Sequence, residues 1–321
     1  MSLIGQDAAI EAFQDALQSG RIHHAWLLAG PRGVGKARFA ETAATRLLAE
    51  AAGPHIALPR LATPQDHSTV RLIAAGSHPD FRRLERAFRE KTNDRARNIT
   101  VDQVRSLQTL FATTPSFSDR RAVIIDAADD MERGAANALL KNLEEPPAGT
   151  VFLLVSHAPG RLLPTIRSRC RVLRFGLLDD IATAEVLHAE LPDADEDEIA
   201  ALVRAGEGSP GRALRFAGLD IAALDRAIGD LIREGDPGNG RSSALARSLA
   251  GKAAQPRYEA FLERVPGHIA GVAKQRSGQA LADAIRSWEE ARSLAGGAIP
   301  LSLDPQATVF TLAGMLAALA R

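Results

Sequence analysis

Near the start of the chain, apolar positions recur three and four residues apart among polar neighbours, which predicts an amphipathic helix over Ile10 to Leu17. Short apolar runs then interrupt that rhythm. Ala25–Ala29, Ala122–Ile125, Val151–Val155 and Val172–Phe175 have the length and residue types of buried strands, and Phe81–Leu84 adds a weaker fifth. Between them the helical spacing returns over Ala37–Leu48, Val101–Phe111 and Ala135–Leu143, and Pro146-Pro147 stops the last of these. Strands alternating with helices predict a parallel sheet covered on both faces. The segment 51–80, with Pro54, Pro59 and Pro64, reads as a long insertion.

Beyond Phe175 the strand-like runs end, and Ala, Leu, Glu and Arg dominate, so the second half is expected to be helical. Breaks at Gly218–Asp220 and across Gly235-Asp236-Pro237-Gly238-Asn239-Gly240 divide it. The expected organisation is an α/β domain over 1–176 carrying the 51–80 insertion, a small helical domain over 177–218, and a larger helical domain over 219–321. Trp288 and the terminal stretch Pro305–Leu319 are expected to pack the core of the last one.

Composition narrows the function classes. Thirty-nine basic residues balance 39 acidic ones, so the whole chain has no basic field for tight binding of nucleic acid on its own. The densest positive stretch, Arg82, Arg83, Arg86, Arg89, Lys91, Arg95 and Arg97, reads as a solvated, mobile surface loop, with a nucleic-acid contact as the alternative. A single cysteine, Cys170, excludes a disulfide framework or an all-cysteine metal cluster within one chain and suits a reducing compartment. No early stretch resembles a signal peptide and no apolar run reaches membrane-spanning length, so a soluble, cytoplasmic chain without a membrane partner is expected.

The chemistry is concentrated in Gly30-Pro31-Arg32-Gly33-Val34-Gly35-Lys36-Ala37. In a phosphate-binding loop of pattern G-x-x-x-x-G-K-[ST], glycines let backbone N–H groups wrap phosphates, the Lys reaches the outer phosphates, and a hydroxyl holds Mg²⁺. Gly30, Gly33, Gly35 and Lys36 keep the cradle and its charge, whereas Ala37 removes the hydroxyl. The strand ending Val123-Ile124-Ile125-Asp126 places Asp126 where P-loop proteins hold a metal-directed carboxylate. Ala127 follows it where hydrolysing sites carry a water-polarising Glu, and Asp129 is expected to point elsewhere. Ser168-Arg169-Cys170 precedes the last strand at the domain edge, where spacing alone is equally compatible with an arginine finger and with a surface ion pair.

Taken in order, Ala25–Lys36, Asp126-Ala127-Ala128-Asp129, Asn137–Pro147 (NALLKNLEEPP) and Ser168-Arg169-Cys170 resemble the bacterial clamp-loader AAA+ family. Gly208-Ser209-Pro210-Gly211-Arg212-Ala213-Leu214 and Leu303-Asp304-Pro305-Gln306 extend the likeness more weakly. The resemblance implies a RecA-like AAA+ module with a five-stranded parallel sheet, then an all-α lid and an all-α collar that joins a hetero-pentameric ring. It further implies gamma/tau-like motor and delta-like partners within a DNA polymerase holoenzyme, and through them a sliding clamp loaded on primer–template DNA. Arg169 would serve a neighbour's ATP site in trans. ATP or ADP, if held, would sit on Gly30, Gly33, Gly35, Lys36 and Asp126, with Arg212 one position past the place of a lid arginine, now Gly211. A one-residue shift turns a helical side chain about 100°. Relatives often bind Zn²⁺ through four cysteines in the insertion, but 51–80 has none, and His55, His67 and His78 are widely spaced, so no zinc is expected. The degraded site points to a chain without ATPase activity of its own; the alternative is an active AAA+ motor that holds its metal through water and Asp126.

Overall fold

The computed structural model describes residues 3–89 and 94–320. Its strands are β1 (Ala25–Ala29), β2 (Phe81–Glu85), β3 (Phe88–Arg89), β4 (Asp94–Arg95), β5 (Arg121–Asp126), β6 (Thr150–Ser156) and β7 (Arg171–Arg174). Five of them form a parallel sheet in the order β2-β5-β6-β1-β7, while β3 and β4 pair as a separate antiparallel ribbon. β1 and β6 are buried along their whole length, as parallel strands covered on both faces must be.

The helices of this half are α1 (Asp7–Gln18), α2 (Lys36–Ala52), α3 (Ser68–Ala74), α4 (Val101–Arg105), α5 (Leu107–Phe111), α6 (Arg133–Glu144), α7 (Pro164–Arg167) and α8 (Asp180–Glu190). Because strand side chains alternate in direction, Trp26 and Leu28 go to one core with Phe13 and Phe39, while Leu27 goes to the other with Leu107, Leu139 and Ile166. Trp26 anchors the first core. Its indole N–H donates to the His23 carbonyl (3.0 Å), Phe13 tilts against it at 5.1 Å, and the Arg171 guanidinium lies 4.9 Å over its ring. The sheet order brings the carboxyl ends of β5, β6 and β1 side by side, which is where parallel α/β sheets place their ligands.

The five expected strands lie within two residues of their observed bounds, and three elements differ from expectation. The helix expected over Val101–Phe111 is split at Ser106, whose hydroxyl turns back to the Gln103 carbonyl (2.7 Å) and competes with the helical ladder. The basic stretch is not a mobile loop: it forms β2 and the β3–β4 ribbon, with Arg83 paired to Asp126, Arg86 to Asp130 and Arg95 to Glu85. Lys91 lies outside the described residues. The insertion also has structure of its own. Arg46, buried in α2, donates to the carbonyls of Ile56, Leu58 and Ala62 and pairs with Glu50 (2.8 Å), so one guanidinium pins the connection to α3. Of the three histidines there, His55 faces Glu50 (3.3 Å), His67 caps α3 by accepting from Thr69 N–H (3.2 Å), and His78 is buried and accepts from Asp80 N–H (3.1 Å). Among the described residues no group of three or more His, Cys, Asp and Glu has the arrangement to hold a metal ion. No helix there is long and apolar enough to cross a membrane.

The chain divides into two compact units, Met1–Ala189 with Gly208–Gly211, and Glu190–Glu207 with Arg212–Arg321. The later helices are α9 (Glu196–Gly206), α10 (Pro210–Leu214), α11 (Ile221–Glu234), α12 (Gly240–Leu249), α13 (Gln255–Ala273), α14 (Gly278–Ala298) and α15 (Pro305–Ala318). Asp195, Asp220 and Asp304 cap α9, α11 and α15 with their carboxylates. α15 supplies Val309, Leu312 and Leu316 to the core as expected, whereas Trp288 is only partly covered and stacks with Arg292 at 5.3 Å. The polar centre of this unit is Arg264. It makes two bonds of 2.6 Å to the Asp225 carboxylate, and His268 lies 3.2 Å from the same group.

Burial alone would raise the Asp225 carboxyl, but the hydrogen bonds from His268 and Arg264 outweigh it and hold it below its usual value. A depressed carboxylate contributes stability that is present above its unfolded pKa and lost as pH falls through the folded one. Asp225→Ala should therefore cost about 3 kcal/mol at neutral pH, because it strands a buried guanidinium. Denaturant titrations of both forms should show the gap closing only below about pH 4.

Candidate functional site

The glycine loop leaves β1 at a point where no side chain fits. A Cβ on Gly30 would lie 2.2 Å from the Phe175 carbonyl oxygen, and the Gly30 N–H donates to the Ser156 carbonyl (3.3 Å). The chain then turns through left-handed conformations at Gly33 (φ +80°) and Gly35 (φ +94°) and enters α2 at Lys36. A turn over Arg32–Gly33 brings the Val34 N–H toward the Pro31 carbonyl, and among the described residues no acceptor within the chain meets the N–H groups of Gly33, Gly35 and Lys36. Unsatisfied donors on a curved backbone at a helix start are what an anion requires.

The other side of the loop is tied down. Ser209 donates its hydroxyl to the Arg32 carbonyl (2.9 Å), and Gly211 N–H donates to the Gly33 carbonyl (2.9 Å). A Cβ on Gly211 would come within 2.8 Å of the Gly33 Cα, so glycine at that position serves backbone contact. Lys36 is 2% exposed, and its ammonium donates to the carbonyls of Gly30 (2.7 Å) and Pro31. Burial lowers its pKa to about 8, opposed by the nearby carboxylates of Asp129 and Asp126 and assisted by Arg32.

Asp126 ends β5 as expected, but it has a partner that sequence reasoning missed. Arg83 of β2 reaches it with its guanidinium at 2.7 Å, and Glu41 of α2 (3.4 Å) and Glu85 (3.7 Å) surround the same cation. Ala127 follows, buried, with nothing to polarise a water. Asp129, expected to point elsewhere, stays close enough to act on the Lys36 ammonium, but its carboxylate is engaged: it accepts from the Ser156 hydroxyl (2.7 Å) and from the N–H groups of His157 and Ala158, fastening the turn after β6. His157 is held below its usual pKa by burial and then by Lys36 and Arg32, so its imidazole is neutral at pH 7.

Arg169 follows the single turn of α7. Its guanidinium pairs with Glu144 at the end of α6 (2.8 Å) and donates to the Thr165 carbonyl (3.1 Å). Beside it, burial pushes the Cys170 thiol up to about 12. Arg212, in the second unit, pairs with Glu207 (2.6 Å) and Glu263 (2.9 Å). The structure thus gathers Gly30, Gly33, Gly35, Lys36 and Asp126 at the carboxyl ends of the sheet, while Arg169 and Arg212 each rest on carboxylates of their own. The missed residues are Arg83, Glu144 and Ser209. A basic residue inside a strand beside the acid-terminated one was the only signal for Arg83.

Phosphates fit this cradle, and a divalent ion does not. The loop offers Ala37 where a hydroxyl would bind, and of the two carboxylates near Lys36, Asp126 faces a guanidinium while Asp129 is taken up by the turn after β6.

A family model described as "DNA polymerase III, delta subunit" matches residues 5–179. The chain is 41% identical over 222 residues to the delta-prime subunit of DNA polymerase III from Pseudomonas aeruginosa, covering 67% of this chain and 63% of that protein. It is 32% identical over 203 residues to the Escherichia coli delta-prime subunit, covering 61% and 55%. Against the E. coli tau subunit the identity is 33% over 234 residues, covering 70% of this chain and 33% of that one. The chain therefore spans less than two thirds of the length of each of these three relatives.

A lysine whose pKa is lowered on folding binds fewer protons folded than unfolded between about 8 and 10.5, so it makes the fold more stable as pH rises through that window. The stability of the wild-type chain, measured by denaturant unfolding, should rise relative to Lys36→Met across that interval by up to about 1.4 kcal/mol per pH unit. Below pH 7 the difference between the two should be flat.

Proposed function

Since the chain belongs to the DNA polymerase III delta-subunit family, we propose that it is a clamp-loader ring subunit of the delta-prime kind, which completes a neighbour's ATP site and hydrolyses none itself. The observation that carries this reading is a phosphate cradle kept intact while its catalytic complement is gone: Ala37 and Ala127 remove the hydroxyl and the base, and Asp126 is ion-paired. Hydrolysis needs a metal-held phosphate and an oriented water, and this chain supplies neither.

The partners that follow are gamma/tau-like motor subunits and a delta-like subunit in a five-membered ring, with the sliding clamp and primer–template DNA reached through that assembly. The division into an AAA+ domain over 1–176, a lid over 177–218 and a collar over 219–321 belongs to the same proposal. Arg169 is the arginine offered in trans. It stands at the domain edge, partly exposed, and a guanidinium so placed stabilises charge on a transferring phosphoryl group. ATP or ADP on the loop would supply negative phosphate oxygens, which the free amides of Gly33, Gly35 and Lys36 and the Lys36 ammonium would neutralise. Such a ligand acts as a fixed brace, stabilising the module by mass action.

The test is DNA- and clamp-stimulated ATP hydrolysis by the reconstituted loader with wild-type chain or Arg169→Ala at equal assembly. A finger is worth on the order of 10³ or more in rate at the site it faces. Single-turnover hydrolysis at that site should fall by that order with the ring intact. Unchanged rates would reduce Arg169 to a surface ion pair with Glu144, and ordinary turnover by the purified chain alone would establish the active-motor reading instead.

A further inference from the structure

Residue register explains how Arg83 comes to Asp126. β2 and β5 run parallel, with Arg83 beside Ile124 and Glu85 beside Asp126. Side chains two apart share a sheet face, so an arginine at 83 can reach diagonally forward to the carboxylate at 126. The bond is short, 2.7 Å, and Glu41 approaches from α2, the helix that begins in the glycine loop. Glu85 is shared with Arg95 at 2.9 Å. Three carboxylates from three elements thus converge on one permanent cation.

We infer that Arg83 is the built-in counter-cation of Asp126, and that the site takes nucleotide phosphates free of divalent metal. This rests on the reading of the glycine loop as a nucleotide cradle and is independent of the role given to Arg169. Left bare, Asp126 would repel phosphates held by Lys36 and the loop amides. In an ordinary P-loop site a divalent ion cancels that repulsion, held by a hydroxyl this chain lacks. The guanidinium cancels it from the carboxylate side instead, and no metal ligand is needed. A salt bridge at this exposure contributes little to folding, so its loss should register in ligand binding.

Titration of the full chain with a fluorescent ADP analogue, competed with ATP, tests this in excess EDTA and again in Mg²⁺. The wild type should bind equally in both buffers. Arg83→Met should bind about tenfold more weakly in EDTA, a loss of the size expected for one uncompensated charge. Mg²⁺ should restore its affinity, because an ion carried on the nucleotide phosphates screens the Asp126 charge that Arg83 no longer covers. Arg83→Lys, which keeps the charge, should resemble wild type, and adding Asp126→Asn to Arg83→Met should remove the need for Mg²⁺. A thermal melt of each form separates binding from misfolding. A wild type that requires Mg²⁺, or an Arg83→Met form unaltered in EDTA, overturns the inference. Absence of binding to wild type in both buffers overturns it together with the nucleotide cradle, while leaving the trans role of Arg169 to its own experiment.

Discussion

A backbone pressed against another backbone can carry no side chain at the point of contact, and in this chain that constraint falls on Gly30 and Gly211. The first lets the Phe175 carbonyl lie against the end of β1, and the second lets the segment after α9 hydrogen-bond to the loop at Gly33. Together they fix the loop from two directions. With the loop fixed, its free amides turn to one side, Lys36 folds under it, and α2 starts in a set direction. The packing of Phe39 between Phe13 and Phe175 follows from the same placement, since Phe39 sits one turn into that helix.

The charged groups of the site form a closed set. Lys36 rests on loop carbonyls, Asp126 on Arg83, Asp129 on the turn after β6, and Arg169 on Glu144. In a site that turns over substrate, some of these groups remain under-satisfied so that the transition state can satisfy them. Here each has found a partner within the chain. The arrangement favours holding a shape over changing one.

How much of this was legible in the sequence depended on the range of the interaction. The three central strands β1, β5 and β6 were the most visible because each is a buried apolar run between breakers, whereas the edge strands β2 and β7 carry exposed arginines and gave a weaker signal. The glycine loop and Asp126 were visible because their chemistry needs fixed residue types at fixed spacing. Arg83 was hidden because its partner lies 43 positions away and is reached only through the register of two parallel strands. The same basic run was misread as a loop, since side-chain charge outweighed strand propensity until Asp126, Asp130 and Glu85 were brought alongside. Arg46 was hidden for a related reason: a buried arginine serving backbone carbonyls leaves no complementary acid for most of its bonds to announce it. Ser106 broke a helix with a local hydroxyl bond that periodicity does not register.

The Cys170 thiol stands next to the arginine on which the proposed function turns, yet burial holds its pKa near 12. At neutral pH the thiol is held protonated, which slows oxidation, metal capture and alkylation. The partly exposed sulfur packs beside the guanidinium in its protonated form. Since this is the only cysteine in the chain, the chain offers a slow background for thiol chemistry. A single cysteine engineered elsewhere on its surface would take up a spectroscopic label faster and report the motions of its own position.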